Sequence, residues 1–145
     1  MARRFKRYSH ESGHPLESSW LEAADLGSVL YINDDPSIPG HEGWSKDSWF
    51  GLSGATRRVA DGAATVRRGR AEPGYEPVFG SILATAARMR EGAQYPELIL
   101  ARQSGESPLV IVEGHTRATA YVLVGRERVP AFVGEARDLD GWHLR

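Results

Sequence analysis

The pentapeptide Glu113-Gly114-His115-Thr116-Arg117 gathers a carboxylate, an imidazole, a hydroxyl and a guanidinium around one glycine. It follows directly on the apolar run PLVIV, so the cluster sits where a buried strand ends and a helix begins. A glycine at such a junction lets the backbone approach a ligand closely. The first amides of the following helix point outward without intrahelical partners, at the positive end of the dipole, which makes a generic anion site. Arg117 adds a bidentate grip on phosphate or carboxylate. Thr116 is placed to cap the helix or touch a metal-bound oxygen, and His115 to donate a hydrogen bond or shuttle a proton. Glu113 could orient the histidine, hold a magnesium ion or act as a base. The competing reading is purely local: Thr116 is only an N-cap, Arg117 is solvated and His115 packs against its neighbours. Short glycine motifs are weakly specific, and both readings stand at this level.

Positioning this corner falls to the elements around it. Val78, Phe79, Ile82, Leu83, Ala86 and Met89 form an apolar stripe at helical spacing, with Pro77 near the first turn, Arg88 and Arg90 in the last, and Gly92 beyond. Pro96 stops that helix. ELILAR (97–102) and LVIVE (109–113) read as strands joined by the turn QSGES, hence an antiparallel hairpin with Val110 and Val112 on one face, Leu109 and Ile111 on the other. Both faces are apolar, so both should be covered. HTRATAYVLVG then reads as a helix ending at Gly125, and VPAFVGEA as a last strand.

The first half is less regular. Residues 1–17 are polar and broken by Gly13 and Pro15, which suggests a loose arm. SSWLEAAD (18–25) has the capping pattern of a short helix, and SVLYIN (28–33) the β-branched and aromatic content of a strand. Residues 34–74 read as a variable insertion or lid, in which Gly51, Gly54 and Gly62 argue against a long helix. Its PGHEGW stretch carries His41 and Glu42, a second polar pair able to reach a terminal phosphate if the segment closes.

Composition bounds the function. A chain of 145 residues with 41% hydrophobic and 26% charged residues is expected to form one globular domain. The net charge of −1 gives no global field for nucleic acid or an anionic membrane, leaving only the local clusters RRFKR and RRGR. With no cysteine, disulfides, thiolate metal sites and cysteine nucleophiles are excluded. No apolar run approaches the roughly 20 residues a membrane span needs, and no signal-peptide core is present, so a cytoplasmic location is the expectation.

From Tyr75 to Glu135, the order of amphipathic helix, PELILAR, turn, PLVIVEGHTRATAYVLVG and VPAFVG resembles the ParB/sulfiredoxin-like superfamily. The resemblance implies an α/β (α+β) fold, a small mixed sheet with packed helices. Sulfiredoxins place cysteine directly after the glycine; His115 stands there in this chain, so sulfinic-acid reduction is excluded. Chromosome-partition ParB proteins carry a Gly-Glu-Arg-Arg box, of which Gly114 and Arg117 match, and a downstream helix-turn-helix domain for which few residues remain. The Asp-Gly-His-His-Arg box of free-serine kinases is nearer: Gly114, His115 and Arg117 match, Glu113 replaces the aspartate and Thr116 the second histidine. That branch also uses a catalytic glutamate from near the end of its first strand, for which Glu42 is the nearest candidate.

The resemblance therefore implies a nucleotide (ATP, ADP or CTP) with Mg²⁺. Gly114, His115, Thr116 and Arg117 would bind its phosphates, Glu113 would hold the metal, and Glu113, His115, Glu42 or His41 would do the acid–base work. The expected activity is phosphotransfer to a small-molecule acceptor or nucleotide hydrolysis. The alternative is a non-catalytic nucleotide switch or DNA-associated module in which the 34–74 segment opens and closes. A homodimer is compatible with either, and a vestigial corner is the third option.

Overall fold

The computed structural model describes residues 16–34, 48–69, 76–102 and 108–136. These build a mixed α+β domain: a five-stranded sheet in the order β1-β5-β3-β4-β2, with four α-helices among the described residues. The strands are β1 (Leu16–Asp25), β2 (Val29–Leu30), β3 (Leu98–Arg102), β4 (Leu109–Glu113) and β5 (Arg128–Ala136). The helices are α1 (Trp49–Leu52), α2 (Val59–Arg68), α3 (Glu76–Arg90) and α4 (His115–Leu123).

β3 and β4 pair antiparallel as the alternation requires, with Leu100 opposite Ile111 and Ala101 opposite Val110. α4 then carries the chain over β3, so that β5 lies parallel to β3 on its far side, Leu100 beside Val133. The two faces of β4 divide as expected. Ile111 joins Leu98, Leu100, Val129, Ala131 and Val133 under the helices. Val110 and Val112 join Ala101, Leu30 and Ile32 on the opposite face, which is buried as well, Val110 being 2% and the neighbouring Phe132 0% exposed. α2 and α3 both pack on α4, and Leu52, Val66, Phe79 and Ile82 fill the space between helices.

Three expectations are corrected. The 18–25 segment is not a helix but most of β1, antiparallel to β5 from Leu16 to Asp25. Its Leu-Glu-Ala-Ala string favours a helix locally, but the hydrogen-bond ladder offered by β5 outweighs preferences of a few tenths of a kcal/mol per residue. SVLYIN is a strand only at Val29 and Leu30, which run parallel to Leu109 and Val110. At Tyr31 the chain leaves the sheet, its amide donating to Arg57 O (2.7 Å) and its carbonyl accepting twice from the Arg57 guanidinium (3.1 and 2.9 Å). On α3 the buried stripe is Phe79, Ile82, Ala86 and partly Met89, with Thr85 beside it; Leu83, one helical step off that line, is 50% exposed.

The 48–69 stretch resolves into two short helices, and Gly62 lies inside α2 rather than breaking it. No helix of the described residues is long and apolar enough to cross a membrane. Of the 1–17 arm, Leu16 and Glu17 belong to β1, and the residues before them, the PGHEGW stretch with His41 and Glu42, and the QSGES turn lie outside the described residues.

Candidate functional site: the corner between β4 and α4

β4 ends at Glu113, and the turn into α4 is made by Gly114 alone, at φ 114° and ψ 28°. An L-side chain rarely adopts that backbone conformation. Space excludes one too: a Cβ on Gly114 would stand 2.5 Å from Leu98 Cδ2 and 2.9 Å from Arg117 Nη2. Gly114 is the N-cap residue of α4 and supplies no side-chain cap. Thr116 therefore does not cap the helix; it sits within the first turn. Helix geometry leaves the first-turn amides, those of His115, Thr116 and Arg117, without intrahelical acceptors.

These groups share one open cleft of about 500 Å³, lined by Trp49, Pro96, Glu113, Gly114, His115, Thr116 and Arg117. Every residue singled out at 113–117 thus reaches a single cavity. Arg117 Nη1 donates to Pro96 O at 2.7 Å, and its Nη2 fills the space that a Cβ on Gly114 would need. Glu113 is exposed at the same rim.

His115 is held more tightly. Its Nε2 accepts a hydrogen bond from the Ile32 amide at 3.2 Å. A neutral imidazole carries one N–H, so the proton sits on Nδ1 and the ring can offer the cleft a donor but no lone pair. Burial lowers its pKa to about 3 because a charged ring would lose hydration without gaining a carboxylate partner. At neutral pH His115 is therefore a fixed, uncharged donor, poorly suited to shuttling a proton.

The sequence motif gives no hint of what fixes it. Trp49 stacks on His115 with ring centroids 5.3 Å apart, and Tyr31 lies 4.8 Å from Trp49. Thr119 Oγ1 donates to His115 O at 2.9 Å and accepts from the Tyr31 hydroxyl at 2.6 Å. Burial raises the Tyr31 pKa further above its ordinary value. Trp49 is set by Asp34, whose carboxylate accepts from the amides of Trp49 and Phe50, both at 2.8 Å. Burial raises the Asp34 pKa, and those amides oppose the rise. Tyr31, Asp34, Trp49 and Thr119 come from three separate stretches of chain, and no spacing in the sequence links them.

Among the described residues no group of three or more His, Cys, Asp or Glu could hold a metal ion. No protein-family model matches this chain, and neither the curated proteins nor the solved structures contain a match to it.

Proposed function

We propose that the domain binds the phosphates of a nucleotide (ATP, ADP or CTP) at the 113–117 corner and transfers or hydrolyses a phosphoryl group. The observation that carries this reading is Gly114: its backbone angle and its contacts with Leu98 and Arg117 bring the uncapped start of α4 to the cleft. First-turn amides, the Nδ1–H of His115 and the Arg117 guanidinium are the donor set that phosphate oxygens require. Phosphoryl transfer asks mainly for positioning and charge neutralisation, which fixed donors supply without a nucleophilic side chain. The chain order of α3, the β3–β4 hairpin, the glycine corner, α4 and β5 supports membership of the ParB/sulfiredoxin-like superfamily, which forms part of the same proposal.

Magnesium typically takes one or two carboxylates plus phosphate oxygens, so Glu113, the one carboxylate among the described residues lining the cleft, suits it. When bound, it would offset the repulsion between Glu113 and the phosphates. His115 favours a second reading, a non-catalytic nucleotide switch or DNA-associated module, because its fixed neutral form leaves Glu113 as the one candidate base among the described residues that line the cleft.

Thermal-shift titration of a nucleotide panel, with and without magnesium, tests the proposal. A ligand at 100 times its dissociation constant adds about 2.7 kcal/mol of stability. Arg117→Ala should weaken binding roughly 10- to 150-fold, the value of a charge-assisted contact. Glu113→Gln should cut turnover about 100-fold and weaken the magnesium dependence of nucleotide binding. A parent that binds without turnover selects the switch; one that binds neither nucleotide nor pyrophosphate refutes both readings.

A further inference from the structure

Trp49 belongs neither to the motif nor to the resemblance, yet it forms a wall of the same cleft. Its position is built. Asp34 holds its amide, and Ser48 Oγ accepts from the Gly51 amide at 3.0 Å, so α1 is fixed at its start. The planes of Trp49 and its two ring neighbours are inclined by only 32° to Tyr31 and 22° to His115. Were the indole sandwiched between those rings, their centroids would stand about two stacking distances apart. They are 6.0 Å apart, so both lie on the same side of it. Trp49 is thus backed from one side and only partly buried, and the remainder of its surface meets core neighbours and the cleft.

We infer that Trp49 is the stacking platform for the flat heteroaromatic base of the bound nucleotide. This rests on the nucleotide reading above and adds the residue that would hold the base. A cleft of about 500 Å³ is far larger than a phosphate needs and falls within the usual size of small-molecule sites. A ring already immobilised by two others loses little freedom when a base stacks on it. Stacking tolerates any base, so Trp49 selects for a ring without choosing which ring.

The test compares AMP with ribose 5-phosphate, which differ only by the base, on the whole chain. The parent should bind AMP tighter by roughly 5- to 150-fold, with quenching of tryptophan fluorescence. Trp49→Leu should abolish the difference between AMP and ribose 5-phosphate. Trp49→Phe, the variant less disturbing to the core, should keep AMP affinity within a few-fold and lose the quenching. Equal affinity of the parent for the two ligands overturns the platform, as does an equal loss of both in Trp49→Leu or quenching that survives Trp49→Phe. If ribose 5-phosphate and pyrophosphate bind but the base adds nothing, the platform alone fails. If the parent binds none of these, the anion site fails with it.

Discussion

Replacing Gly62 by alanine tests the packing beneath the cleft, because two effects of opposite sign compete there. Gly62 lies inside α2, where alanine is the better helix former by about 1 kcal/mol. Helix propensity alone therefore predicts stabilisation. The tertiary structure predicts the reverse. A Cβ at this position would strike the Tyr31 hydroxyl and stand 2.7 Å from Tyr31 Cε2 and 2.8 Å from Cζ. Tyr31 is fully buried, with Trp49 against its ring, so it cannot swing clear cheaply. Overpacking a core of this kind costs about 1–3 kcal/mol. Displacing the hydroxyl also weakens its bond to Thr119, worth about 1 kcal/mol. Set against the propensity gain, the net is a destabilisation of about 1–3 kcal/mol, or roughly 3–9 °C in melting temperature. Urea and thermal denaturation of Gly62→Ala in the parent and in Tyr31→Phe measure it. Removing the hydroxyl relieves the worst contact but not the ring contacts, so the penalty should shrink by about 1 kcal/mol without vanishing. A rise in stability on Gly62→Ala, or an equal penalty in both backgrounds, would refute the reasoning.

The burial of His115 makes stability pH-dependent. Its folded pKa of about 3 lies below the unfolded value of 6.5, so the unfolded chain takes up the proton first. Its contribution is then complete above pH 6.5 and shrinks on acidification towards the folded pKa, by about 2 kcal/mol from pH 6.5 to 5. Denaturation in urea across that range should show a slope in the parent that His115→Asn loses. Asp34 acts with the opposite sign: its raised folded pKa keeps the proton on the native state, so its contribution falls as pH rises from about 4. Asp34→Asn should remove that slope, whereas Asp34→Ala also strands the amides of Trp49 and Phe50, at a cost of about 2 kcal/mol in a denaturation measurement. Gly114→Ala should cost about 2–5 kcal/mol through its backbone angle and the Leu98 and Arg117 contacts. In the phosphate-site reading, its residual folded fraction should also show weakened phosphate affinity in calorimetric titration.

Where periodicity was strong, local sequence sufficed. The α3 stripe, the alternation of β4, the glycine between strand and helix and the helix after it are visible because each is written in residues three, four or two apart. The Glu113–Arg117 cluster could be read as one site for the same reason: a single turn brings those side chains to one cleft. β1 was not legible, because Leu16–Asp25 becomes a strand only through its ladder with β5, more than a hundred residues away in the chain. Nor could the sequence assign the state of His115. A histidine after a glycine reads equally as a base or a donor, and what decides is the Ile32 amide on its Nε2 together with the burial around it. Gly62 read only as a residue that weakens a long helix, and its role as clearance for the Tyr31 ring is not written locally. Nothing in the sequence marks Trp49, and only the Asp34 clamp and the ring triangle with Tyr31 and His115 make it a wall of the cleft. Spacing along a chain encodes what one element presents. Hydrogen bonds and contacts between distant elements, which the chain does not write locally, settle the protonation, orientation and exposure of what is presented.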